Sequence, residues 1–131
     1  MIYIHIPFCI RKCLYCDFYS VTDKALFASY TDALIKEIES IKGISTKTVY
    51  IGGGTPTAIG DYLLKIVDAV NENLVLSNDC EFTVEANPGT VSEEILYALK
   101  ERGVNRISLG AQSFIASELS ALGRLHSSDD T

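Results

Sequence analysis

Three of the four cysteines in this chain fall within eight residues, as Cys9-Ile-Arg-Lys-Cys13-Leu-Tyr-Cys16. Thiolates bind soft metals, and two four-coordinate outcomes follow: a structural zinc completed by His5 or Cys80, or an iron-sulfur cluster. A zinc site usually draws its ligands as two pairs set apart by a longer segment, whereas these three form one compact group. A four-iron cluster normally takes four cysteines, so three on one loop leave one iron with a position for another ligand. Cys80 precedes the expected third strand, at the far end of the sheet from the loops, and is read as a buried or half-exposed thiol without a ligand role. His5 alternates with Ile4 and Ile6 and is read as a core-facing or supporting histidine satisfied by backbone. Tyr3, two residues earlier, points to the same side of the strand.

The elements that must position these thiols alternate between strand and helix. Ile2-Tyr-Ile-His-Ile6 reads as a strand ending at Pro7, which cannot donate a ladder hydrogen bond. The cysteines then lie on the following loop. Apolar residues at Leu26, Tyr30, Leu34, Ile38 and Ile41 predict a helix over 24–42, with Gly43 at the C-cap position. Thr48-Val-Tyr-Ile51 is a second strand that breaks into Gly52-Gly-Gly-Thr-Pro56, and a second helix is predicted over 62–73. Glu81-Phe-Thr-Val-Glu85 is a third strand, and Thr90-Val-Ser-Glu93 reads as a capping box for a helix that closes at Gly103. Arg106-Ile-Ser-Leu109 is a fourth strand.

Strands separated by helices of this length imply right-handed crossovers and a parallel sheet. The fold class is therefore α/β, the N-terminal part of a parallel (β/α) partial barrel of TIM type with about four βα units. Every stretch that could carry chemistry follows the C-terminal end of a strand, the face where such barrels build their sites. Ser127-Ser-Asp-Asp130 has the form of a helix N-cap with acidic residues in the first turn. A helix that starts at the last residues, and a sheet with an unpaired edge, predict that the chain is a piece of a longer protein.

Composition bounds the partners. With 47% hydrophobic and 21% charged residues in 131, and a net charge of −6, the chain reads as one ordinary globular domain or part of one. No basic stripe is present that would neutralise a phosphate backbone, so nucleic acid is not an expected partner. No apolar run approaches the ~18 to 20 residues that a membrane-spanning helix needs, and no secretory signal is visible, so a cytoplasmic location is expected. Clustered thiols in that compartment bind metal or do chemistry more often than they form disulfides.

The Cys-x3-Cys-x2-Cys spacing, with an aromatic before the last cysteine, resembles the signature of the radical S-adenosylmethionine superfamily. Further stretches are similar to one branch of it, the oxygen-independent coproporphyrinogen III oxidases and the related heme chaperones. They are Tyr3-Ile-His-Ile-Pro-Phe-Cys9, Gly52-Gly-Gly-Thr-Pro-Thr57, Glu85-Ala-Asn-Pro-Gly-Thr90, Arg106-Ile-Ser-Leu-Gly-Ala-Gln-Ser-Phe114 and Leu122-Gly-Arg-Leu-His126. The resemblance implies that Cys9, Cys13 and Cys16 hold a [4Fe-4S] cluster whose unique iron is chelated by S-adenosylmethionine. Electron transfer from an electron donor through the cluster would cleave the sulfonium to a 5'-deoxyadenosyl radical.

It also implies roles for other residues around the cofactor. Gly53, Gly54 and Thr55 would bring amides and carbonyls to the methionine ammonium. Glu85 suits the two ribose hydroxyls, Gln112 the same nucleoside region, and Arg124 the methionine carboxylate. Tyr15 would lie against adenine, with Tyr3 near the carboxylate and cluster. No residue is assigned to catalysis beyond these cofactor sites. In the oxidase proper a further cysteine sits two residues beyond the last cluster cysteine, where this chain has Phe18, and that substitution resembles the heme chaperone side. Residues 1–131 are expected to be the N-terminal part of a radical SAM core domain, without the rest of the barrel and the C-terminal domain. Heme or a porphyrinogen would be the partner of the whole protein, at residues outside this chain, and this part alone is expected to bind the cofactor weakly or not at all.

Overall fold

Alternation along the strands sorts their side chains onto two faces of unlike character. The computed structural model, which describes residues 1–131, has β1 at Ile2–Ile6, β2 at Ser45–Gly53, β3 at Val75–Ala86 and β4 at Arg106–Leu109. They form one parallel sheet in the order β1-β2-β3-β4. Each strand pairs with its successor in the chain, so right-handed crossovers place their helices on one face. Those helices are α1 at Phe27–Ser40, α2 at Asp61–Asn73 and α3 at Glu93–Glu101, followed by the short α4 at Ala116–Ala121.

On the helix-covered face Ile4, Ile6, Val49, Ile51, Phe82 and Val84 are buried in one cluster with Leu63, Ile66, Val67 and Val70 of α2. Each such side chain contributes roughly 1.5–3 kcal/mol when fully buried. The other face is polar: Tyr3 bonds His5, Tyr50 bonds Glu85, and Arg106 pairs with Glu81 at 3.2 Å. Parallel sheets covered on both faces read as continuous apolar runs, and this one alternates because helices cover only one of its faces.

Several boundaries differ from the sequence expectation. The first helix begins as a 3-10 turn, Lys24–Leu26, capped by the Asp23 carboxylate on the Ala25 amide at 2.9 Å. The third strand starts at Val75, six residues early, because Val75 and Leu76 pair with Ser45 and Thr46 before a register shift brings Glu81 opposite Thr48. The polar run Ser77-Asn-Asp79 at that irregularity looks like a turn in sequence. Cys80 accordingly lies inside β3 rather than ahead of it. His5 is not core-facing: its neighbours Ile4 and Ile6 take the core, and it sits on the polar face bonded through Nδ1 to the Tyr3 hydroxyl at 3.1 Å, not to backbone.

The α3 cap also moves. Thr90 belongs to a separate capping box with Asn87 around the 3-10 turn Pro88–Thr90, and Ser92 caps α3 by accepting the Ile95 amide at 3.3 Å. Ser92→Ala should therefore cost about 1 kcal/mol, read as a lower urea midpoint with an unchanged slope. A wild-type midpoint in that variant would show that the helix does not depend on this cap. No helix is long and apolar enough to cross a membrane.

Candidate functional site

The site assembles where all four strands end. The chain leaves β1 through Pro7 and Phe8, and Phe8 makes a parallel bridge with Val21. The Cys9 amide donates to the Val21 carbonyl at 3.0 Å and the Val21 amide to the Pro7 carbonyl at 2.8 Å. The cysteine loop is thus pinned at both stems. Phe8 anchors it from below, almost fully buried and edge-on to Phe27 and Tyr30 at 4.8 and 5.1 Å. Within the loop the Cys16 amide closes a turn onto the Cys13 carbonyl at 3.2 Å, which sets the last two thiols one turn apart.

The glycine run after β2 threads beneath this loop. The Gly54 amide donates to the Ile6 carbonyl at 2.8 Å and the Thr55 amide to the Phe8 carbonyl at 2.7 Å. A Cβ on Gly54 would lie 2.6 Å from the Phe8 oxygen and 2.9 Å from Cys9 Sγ, so glycine is what lets the two loops touch. The Gly53 amide is also engaged, donating to Glu85 Oε2 at 3.1 Å. With these three amides used internally and the Thr55 carbonyl accepting from the Ala58 amide at 2.9 Å, the acceptors an ammonium needs would come from carbonyls of the glycine run. Thr55 is buried and its hydroxyl stands 3.7 Å from Cys9 Sγ.

The far wall comes from β3, β4 and the segment after α4. Glu85 at the end of β3 accepts from the Tyr50 hydroxyl at 2.6 Å through Oε1. Gln112 adopts φ +64°, a left-handed conformation uncommon outside glycine and costing roughly 1–3 kcal/mol. Arg124 reaches back with Nη2 2.6 Å from the Gly110 carbonyl, Nη1 3.6 Å from Cys13 Sγ, and Nη1 3.4 Å from the Tyr15 hydroxyl. Its Nε is buried without a partner. Burial pushes the Tyr15 phenol above its ordinary value, against the opposing pull of Arg124.

These groups line one cavity of about 350 Å³, within the ~300–1,000 Å³ usual for small-molecule sites. Cys9, Cys13, Cys16 and Tyr15 lie on one side; Gly53, Gly54, Thr55, Glu85, Gln112 and Arg124 complete it. Tyr3 does not line it. Tyr3 is half exposed on the polar face, bonded to His5 and stacked on Tyr50 at 6.1 Å. Cys80 is elsewhere too, its thiol directed to the Glu81 carbonyl at 3.7 Å and pushed up by burial. No three His, Cys, Asp or Glu side chains converge closely enough to grip a single ion.

Sequence reasoning assigned no role to two residues that shape this wall. Tyr50 orients Glu85; its signal was its place two residues before Gly52 on the same strand face. His126 is buried and its Nε2 lies 3.1 Å from the Ala111 carbonyl, holding the peptide next to the strained Gln112. Only its position within Leu122-Gly-Arg-Leu-His126 pointed to it.

The sequence model of the Radical SAM superfamily matches residues 3–130. The chain belongs to that superfamily. Among curated relatives it is 40% identical over 132 residues to the heme chaperone HemW of Escherichia coli K12, across 95% of this chain and 35% of that protein. It is 45% identical over 127 residues to HemW of Lactococcus lactis, across 95% of this chain and 33% of the relative. The fold superposes on coproporphyrinogen III oxidase (HemN) from Escherichia coli with a TM-score of 0.88 and 27% identity, over 98% of this chain and 31% of that one. The chain thus spans about a third of the length of these relatives, and the sheet is the α/β partial barrel expected.

A radical SAM superfamily member implies a [4Fe-4S] cluster and S-adenosylmethionine. The residues present fit both. Three thiols face one cavity without converging on a single ion, glycine permits the close approach beside Cys9, and the half-buried Arg124 keeps its Nε buried and unpartnered. A cluster needs thiolates spread around a body larger than one metal ion, and a zwitterionic nucleoside needs a cation, carbonyl acceptors and a diol acceptor within reach.

Proposed function

We propose that this chain is the cluster- and S-adenosylmethionine-binding part of a heme chaperone-like radical SAM protein. The observation that carries the reading is the placement of Cys9, Cys13 and Cys16 on one cavity with Glu85, Gln112 and Arg124. When bound, cluster and cofactor supply one-electron chemistry at a sulfonium. The chain's own part is to bind and orient. Cys9, Cys13 and Cys16 are the cluster ligands. The carbonyls around Gly53, Gly54 and Thr55 receive the methionine ammonium, Arg124 the carboxylate, Glu85 the ribose hydroxyls, and Gln112 and Tyr15 the base side. Tyr3 acts from outside the cavity, through the polar face it shares with His5 and Tyr50.

The heme chaperone reading over the oxidase rests on Phe18 and on the HemW relatives. Phe18 stands exposed on the cavity rim, where the oxidase carries an additional cysteine. The second reading, radical decarboxylation of a porphyrinogen, is favoured by the superposition on coproporphyrinogen III oxidase. A structural zinc is disfavoured by the spread of the thiols and by Cys80 and His5 being engaged elsewhere.

Anaerobic iron-sulfur reconstitution followed by electron paramagnetic resonance tests the shared part. The reduced protein should give a four-iron cluster signal whose g-values shift when S-adenosylmethionine is added. In the protein that contains this chain, a cluster spectrum indifferent to the cofactor, or stoichiometric zinc in its place, rejects the reading. Heme titration beside a decarboxylation assay on the protein that contains this chain then separates carrier from oxidase.

A further inference from the structure

We infer that Tyr50 is a positioning residue that aims the Glu85 carboxylate so that one lone pair on each of its oxygens is left for a vicinal diol. The inference rests on the reading above that Glu85 receives the ribose. A carboxylate has about four acceptor sites, two on each oxygen. The Tyr50 hydroxyl occupies one on Oε1 at 2.6 Å and the Gly53 amide one on Oε2 at 3.1 Å. Two donors on opposite oxygens fix the plane of the group and leave a matched pair of acceptors facing the cavity, the pattern that two neighbouring hydroxyls require.

The strand register builds this arrangement. Tyr50 pairs opposite Thr83, so Glu85 is its diagonal neighbour two residues further along β3 on the same face. The residue that would stand between them is Gly52, where a Cβ would lie 2.8 Å from Tyr50 Cε1 and 2.9 Å from Glu85 Oε2. Gly52 therefore clears the path for the Tyr50–Glu85 bond, a different task from that of Gly54. Tyr3 stacks on the Tyr50 ring at 6.1 Å and 25°, holding its hydroxyl in line. This gives Tyr3 a connection to the site that runs through Tyr50 rather than through direct contact. The bond to Glu85 and burial both push the Tyr50 phenol above its ordinary value, as expected for a hydroxyl whose proton is shared with a carboxylate.

The test is a double-mutant cycle on the cluster-reconstituted protein that contains this chain, with S-adenosylhomocysteine as the probe and calorimetry or ligand-observed NMR as the readout. Tyr50→Phe keeps the ring and its stacking but removes the donor. It should weaken binding about tenfold, the scale of one hydrogen bond to a charged group, and the loss should vanish in a Glu85→Ala background. The thermal midpoint of Tyr50→Phe should fall by only a few degrees, the scale of one part-buried hydrogen bond, since the ring and its stacking remain. A weak wild-type affinity still gives the ratio. Equal binding by Tyr50→Phe and wild type overturns the inference and leaves the Glu85 assignment standing. A loss that persists undiminished without Glu85 also overturns it, because Tyr50 would then act through the sheet. If wild type binds no probe at all, the reading of the site falls and the inference with it. A measurement without ligand separates these cases further: 13C-tyrosine NMR should show the Tyr50 phenol titrating lower in Glu85→Ala than in wild type, and an unchanged titration contradicts the contact itself.

Discussion

Alanine at Cys9, Cys13 or Cys16 is expected to abolish the four-iron chromophore and its paramagnetic signal after reconstitution, while alanine at Cys80 leaves both at the wild-type level. The reason is geometric. The three loop thiols line the cavity, and the turn that brings the Cys16 amide onto the Cys13 carbonyl spaces two of them for neighbouring corners of one body. Under the proposed ligation the cluster is already one protein ligand short of four, so the loss of another would leave two thiolates, too few to retain it against hydrolysis and reassembly. Cys80 cannot substitute, because it is held in β3 against the Glu81 carbonyl and its thiol is disfavoured as thiolate by burial. Iron and sulfide content per chain, together with absorbance near the sulfur-to-iron bands, would check this. Retention of a full cluster in any single loop variant, or its loss in Cys80→Ala, would remove the ligand assignment.

The second large effect is expected at Gly54. Alanine there would put a methyl group 2.6 Å from the Phe8 carbonyl oxygen and 2.9 Å from Cys9 Sγ. The first contact is with backbone, which cannot swing aside, so the two loops must part. Parting them breaks the Gly54 to Ile6 and Thr55 to Phe8 hydrogen bonds and loosens the Phe8 anchor. The cost should reach ~3 kcal/mol, the upper part of the range for overpacking. The thermal midpoint should drop by on the order of 10 °C, and reconstitution should yield less than half the wild-type iron. A Gly54→Ala protein with wild-type melting and full iron would show that the loops do not depend on this contact.

Much of this architecture was legible in the residues because its signals are local. Alternation around Ile4 and Ile6, the helical spacing from Leu63 to Val70, and the cysteine spacing each sit within one element. Tertiary pairing decided the rest. Val75 and Leu76 become strand only because Ser45 and Thr46 lie beside them, and no window along the chain contains that information. Thr90 and Ser92 are both competent caps, and the choice between them depends on Asn87 taking Thr90 for its own turn. Arg124 read alone is a solvated arginine after a helix; its contacts with Cys13 and Gly110 span over a hundred residues in one case and fourteen in the other. Tyr50 was overlooked for a different reason. A tyrosine in a strand has an ordinary core role, and only the missing side chain at Gly52 shows that its hydroxyl has somewhere else to go.

The bridge between Phe8 and Val21 has a consequence for how the cysteine segment can change length. Because the stems are already joined by the protein, the entropy of closing the loop is met before any iron arrives. Extra residues between Cys16 and Val21 would add to that entropy only logarithmically, ~0.6 kcal/mol for each doubling. Extra residues between Cys13 and Cys16 would instead break the turn that spaces these two thiols. Length variation is therefore cheap on one side of Cys16 and prohibitive on the other, so the segment behaves as a rigid gauge joined to an adjustable tether.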